Sequence, residues 1–103
     1  MLLARWQIEA RFGQKQAVIE LLKTWERDIA PQIGWGAGRG RLLAGSIGPS
    51  EATVEHEWLV EDLAALGRAW EALGRIEAHR EWGKALEPHV VSGSARWQIL
   101  RIV

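Results

Sequence analysis

Three histidines, a repeated Arg-Trp-Gln segment and seven tryptophans are the residues of this chain whose types and spacing suit chemistry. His79 falls on a helical stripe with Ile76, Gly83 and Leu86, with Trp82 beside it and Trp70 about two turns earlier. Its imidazole titrates near neutrality, which suits proton transfer or ligation of a cofactor. The same stripe equally describes a histidine packed on indole at the edge of a core. His56 alternates with Val54 and Trp58 and reads as a buried, hydrogen-bonded side chain, while His89 follows Pro88 and reads as a turn residue. Separations of 23 and 10 residues between the histidines match no compact zinc signature, so no metal site is expected. Ser46, Ser50, Ser92 and Ser94 fall near turns or strand ends, away from any nucleophile elbow. The indoles bring large apolar bodies with one N–H each, which suits cores, interfaces and pocket walls; most are expected in the core.

Five residues occur twice, as Ala4-Arg5-Trp6-Gln7-Ile8 and Ala95-Arg96-Trp97-Gln98-Ile99. Both copies sit in stretches of period two, the pattern of a half-buried strand. In the first, Leu2, Ala4, Trp6, Ile8, Ala10 and Phe12 share a face against Arg5, Gln7, Glu9 and Arg11. In the second, Ala95, Trp97, Ile99 and Val103 oppose Arg96 and Gln98. The segments between them show no further similarity, so the repeat is convergent strand chemistry and not a duplicated domain.

The elements that must position these residues follow in order. A strand over about 2–12 ends at Gly13, and a helix over about 14–30 carries Val18, Leu21, Leu22, Trp25 and Ile29 on one side until Pro31 stops it. The glycine-rich segment 34–41 follows a helix and precedes none, so it lacks the setting of a phosphate-binding turn and reads as a mobile connection. A reading in which Arg39, Arg41 and Trp35 close over an anion or meet a partner protomer stays open beside it. Strands are expected over about 41–47 and 52–60, then helix from about 61, interrupted at Gly74 and resumed over 76–86. A last strand follows Gly93. The order β-α-β-β-α-β predicts an α+β, ferredoxin-like domain over residues 1–103 with a four-stranded antiparallel sheet, in which the terminal strands are neighbours.

Thirteen basic and thirteen acidic residues leave no net charge, which argues against nucleic acid and anionic membrane as partners. Without cysteine there is no disulfide, thiol catalysis or thiolate metal site. Arg5, Glu9 and Arg11 interrupt any leader-like apolar run, and no segment approaches a membrane span, so a soluble, cytoplasmic protein is expected.

Two helices cover only one face of such a sheet. The other face then carries Arg5, Gln7, Glu9, Glu55, Glu57, Arg96 and Gln98 with Leu100 and Ile102. It is either a solvated surface or the interface of a homodimer whose two sheets enclose a polar, charge-matched interior.

The element order, the run Glu57-Trp58-Leu59-Val60-Glu61-Asp62-Leu63-Ala64-Ala65-Leu66 from strand into helix, and Glu77-Ala78-His79-Arg80-Glu81-Trp82 in the late helix resemble the dimeric α+β barrel superfamily. That superfamily includes NIPSNAP-type domains, stress-responsive A/B barrel proteins and antibiotic-biosynthesis-type monooxygenases. The resemblance spans essentially the whole chain through soft patterns. It implies a homodimer through the sheet face and a cavity between sheet and helices in each protomer. The enzymatic reading it implies is cofactor-free oxidation or cyclisation of a small hydrophobic or aromatic molecule. Gln7 would then orient an oxygen, His79 would move a proton, and Trp58, Trp70 and Trp82 would wall the cavity, with Arg5 and Arg96 as further ligand contacts. Haem-degrading members combine a first-strand Asn, a Trp and a late-helix His on the iron. Trp70 and His79 match the last two loosely, but Gln7 stands where Asn is required, which puts haem in doubt. The alternative of another class is a structural or stress-related dimer with no chemistry.

Overall fold

Alternation of apolar and polar side chains builds the first strand, and its apolar face then needs a helical cover. In the computed structural model, which describes residues 1–103, β1 (Leu2–Glu9) leads into α1 (Lys15–Asp28). Val18, Leu22 and Trp25 recur on one side of α1 and are its buried residues. Strands β2 (Gly40–Ala44) and β3 (Thr53–Val60) form a hairpin. Helices α2 (Leu63–Leu73) and α3 (Glu77–Leu86) precede β4 (Arg96–Arg101). The sheet is wholly antiparallel in the order β2-β3-β1-β4, the expected ferredoxin-like arrangement. Asp62 caps α2 by accepting the Ala65 N–H at 2.8 Å, and the chain breaks at Gly74 before α3 as its pattern predicts.

The two copies of the repeat lie side by side. Trp6 faces Trp97, Arg5 faces Gln98 and Gln7 faces Arg96 across the β1–β4 ladder. Even-numbered β1 residues therefore join Val54, His56, Trp58 and Val60 of β3 and Trp97 and Ile99 of β4 on the helix-covered face.

Several boundaries differ from expectation. The first strand stops at Glu9, because Ala10 leaves the β1–β3 ladder to bridge Val90. Phe12, expected on the core face, is fully exposed in the turn before Gly13, whose φ of 79° favours glycine. Pro31 does not simply end the first helix: Ala30–Ile33 continue it as a tighter 3-10 turn with proline near its start. The glycine-rich segment that follows is not a plain mobile connection, since Trp35 is 3% exposed and stacks on Trp58 with centroids 5.4 Å apart. Arg39 pairs with Glu61 and Arg41 with Glu57, so the three residues read as an anion clasp are engaged separately. Every residue of β4, an edge strand, is exposed, and Val103 lies fully in solvent. No helix of the chain is long and apolar enough to cross a membrane.

Candidate functional site

Between the helices and the covered face of the sheet lies a cavity of about 480 Å³. Its walls include Trp6, Trp25, Trp58, Trp70, Trp82 and Trp97, six of the seven indoles, together with His56 and His79. The seventh, Trp35, backs Trp58 from behind, and contacts between rings connect all seven into one aromatic cluster. Only Trp25, Trp35 and Trp58 are buried; Trp6 and Trp82 are half-buried, and Trp70 and Trp97 are exposed. The tryptophans are thus less a core than the lining of a cavity whose rim is the Trp70–Trp97 pair, 5.4 Å between centroids.

His79 sits on α3 in that wall. Its ring lies nearly parallel to Trp82, at 15° and 6.0 Å, and its Nδ1 accepts the Trp25 Nε1–H at 2.9 Å. That hydrogen bond decides the tautomer: a neutral His79 carries its proton on Nε2. Burial holds its pKa below the usual histidine value, so the ring is neutral at pH 7. Trp82 in turn donates its own N–H to the Leu21 carbonyl at 2.6 Å, which pins α3 to α1.

His56 presents the opposite situation. It is 2% exposed, its ring is 4.5 Å from Trp58 and 5.9 Å from Trp25, and burial pulls its pKa down to about 4. Its Nε2 is shielded from solvent and has no hydrogen-bond partner, so the paired histidine expected there is instead a buried unpaired one. Alternation marked His56 as inward-facing; nothing local in the sequence reveals that no donor or acceptor reaches it.

Gln7 does not share this site. An odd-numbered β1 residue points to the uncovered face, where Gln7 hydrogen-bonds Glu55 and accepts from Arg96 at 2.7 Å. It is one member of a ladder across all four strands. Arg41 and Arg5 donate to Glu57 at 2.6 and 2.8 Å, and Arg5 lies 3.6 Å from Glu55. Glu57 is 2% exposed although no helix covers it. Burial pushes its carboxyl up, but hydrogen bonds from Arg41 and Arg5 and their charges together hold it below the ordinary range. The structure therefore brings His79, Trp58, Trp70 and Trp82 together on one side of the sheet and puts Arg5, Gln7 and Arg96 on the other.

His79, the residue matched to the haem-ligating histidine, fits that role poorly. A histidine on a metal offers one ring lone pair and donates its other N–H to an acceptor. His79 has a donor, the Trp25 N–H, at Nδ1, which leaves the proton on the remaining nitrogen.

No family model matches the chain, and no curated protein matches it significantly. Solved structures do. A NIPSNAP family protein from Agrobacterium tumefaciens superposes with a TM-score of 0.78 over 99% of this chain and 85% of its own, at 18% identity. An uncharacterised NIPSNAP-like domain protein from Burkholderia xenovorans gives 0.72 over 99% and 84%, at 25% identity. A putative antibiotic biosynthesis monooxygenase from Nitrosomonas europaea gives 0.69 over 100% and 99%, at 7% identity. The chain thus has the α+β, ferredoxin-like fold of the NIPSNAP and antibiotic-biosynthesis-monooxygenase proteins, as its sequence resemblance implies.

Proposed function

We propose that this protein binds a small, flat, hydrophobic molecule, aromatic by preference, in the cavity between helices and sheet. The observation that carries this reading is the wall itself: six indoles and two neutral imidazoles around about 480 Å³, the size and character of a small-molecule site. Packing rules argue against leaving such a space unfilled by side chains unless a ligand uses it. His79 is the polar contact of the wall, a donor through Nε2, and Trp70 and Trp97 frame the entrance. Gln7, Arg5 and Arg96 take no part, since they lie across the sheet. Two structural neighbours bear the name antibiotic biosynthesis monooxygenase, which makes oxidation of the bound aromatic the first activity to assay. Naphthalene-sized aromatics should quench indole fluorescence saturably, and mass spectrometry of protein purified under native conditions should show a retained ligand. Absence of saturable quenching by any flat aromatic would overturn the reading.

The uncovered face supports a second role, assembly into a homodimer through the sheets. The observation that favours it is the exposed apolar end of a face without helical cover, where Leu100 and Ile102 lie beside Leu3 and Leu59 next to the charge ladder. Sedimentation at micromolar protein should give twice the 11.6 kDa protomer mass. A lone protomer at that concentration would end the proposal.

A further inference from the structure

The cavity contains a polar group that this reading leaves unused. Buried polar atoms are nearly always paired, so the orphaned Nε2 of His56 signals a missing partner. The indole N–H of the neighbouring Trp25 cannot supply one, because it is given to His79. The nearest opposite charge is Glu26 on α1, whose Oε2 lies 3.7 Å from His56 Nε2, beyond hydrogen-bonding distance but close enough to bias the ring. A carboxylate facing Nε2 favours the proton on that nitrogen and leaves Nδ1 as the bare lone pair. Such contacts are commonly long in ligand-free sites and tighten when the site fills.

We propose that His56, held in its Nε2–H form by Glu26, is a hydrogen-bond acceptor for the ligand, so that the cavity selects flat apolar molecules bearing a hydroxyl group. This rests on the cavity being a binding site. His56 would touch the ligand; Glu26 is a positioning residue acting through it. His79 cannot take the same part, since the Trp25 N–H occupies its Nδ1 and makes it a donor. The depressed pKa of His56 fits the assignment: the ring stays neutral at pH 7 and accepts a hydrogen bond without taking the proton.

Calorimetric titration with 2-naphthol and 2-methoxynaphthalene separates the possibilities, because the two share a ring system and differ in the O–H. The wild-type protein should bind 2-naphthol at least roughly tenfold more tightly, although it is the less hydrophobic of the two. His56→Phe should keep its affinity for the methoxy compound and lose the preference to within about twofold. Glu26→Gln, at a half-buried position near the surface, should weaken the preference and shift the His56 ring-nitrogen NMR signals towards mixed tautomers. The nitrogen shifts of the wild-type protein test the assignment even if His56→Phe fails to fold, and a protonated Nδ1 in the neutral ring would overturn it. Equal binding of both compounds would overturn the role of His56 while leaving the cavity as a site. Binding of neither would overturn the cavity reading and this one with it.

Discussion

Replacing His79 with alanine removes the acceptor for the indole N–H of Trp25, a residue 6% exposed. A buried donor left unpaired, together with a lost ring stack, should cost about 1–3 kcal/mol by urea denaturation. The same variant keeps the indole walls, so aromatic binding should weaken without vanishing. His56 governs a different property. Its pKa is about 4 in the folded protein against an ordinary 6.5, so on acidification the unfolded chain takes up the proton first. Its contribution is therefore full above pH 6.5 and is lost as pH falls towards 4, by about 3 kcal/mol in all. His79, also depressed by burial, acts in the same direction. Unfolding midpoints between pH 7 and 4.5 should fall steadily in the wild type and much less in His56→Phe, a window above the one in which Glu57 is protonated. At this scale the sequence is partly legible. The spacing of Ile76, His79 and Trp82 locates His79 beside an indole, and alternation turns His56 inward. Which nitrogen is paired depends on Trp25, fifty-four positions from His79 in the chain, and no local pattern reports it.

Among the elements, β2 shows how closely a strand edge and the cavity wall are coupled. A Cβ added at Gly40 would lie 2.5 Å from the Trp58 ring, which is itself 1% exposed and clamped between Trp35 and His56. The ring has no way to retreat except into the cavity. Gly40→Ala should therefore destabilise by about 1–3 kcal/mol, the cost of overpacking a well-filled interior, and should reduce aromatic binding measured by fluorescence titration. Alanine at Gly36, where nothing lies within 4 Å, is the matched control and should change neither. Period-two alternation made the faces of β1 and β3 readable, and the Gly74 break between α2 and α3 was equally plain. The same alternation misplaced Phe12, because a pattern of side chains continues past the point where the ladder partner ends. Gln7 illustrates a subtler failure. Its register puts it opposite the cavity, and assigning it a role there on the strength of a family resemblance contradicts the parity of its own strand. The burial of Trp35 is not legible in the sequence, because a glycine-rich setting masks a single anchoring side chain.

For the whole molecule, the two faces of the sheet divide the work: one is a lined cavity and the other a row of paired charges. Arg41, Glu57, Arg5, Glu55, Gln7 and Arg96 satisfy one another within a single protomer, so the ladder alone does not require a partner. A dimer through this face gains instead by covering its apolar end, where Leu100 is 41% and Ile102 48% exposed. This distinction makes association and folding separable by mutation. Arg5→Glu with Arg96→Glu sets carboxylates against Glu55 and Glu57, breaking the ladder inside the protomer and weakening association and fold together. Leu100→Asp, on an edge strand open to solvent, removes apolar contact area and buries a charge only if two sheets meet. Its protomer should melt within a few degrees of a monomeric reference, since exposed substitutions change stability by about half a kcal/mol or less. Its sedimentation should shift from the dimer to the 11.6 kDa species. A Leu100→Asp protein that still sediments as a dimer would show that the association surface lies elsewhere.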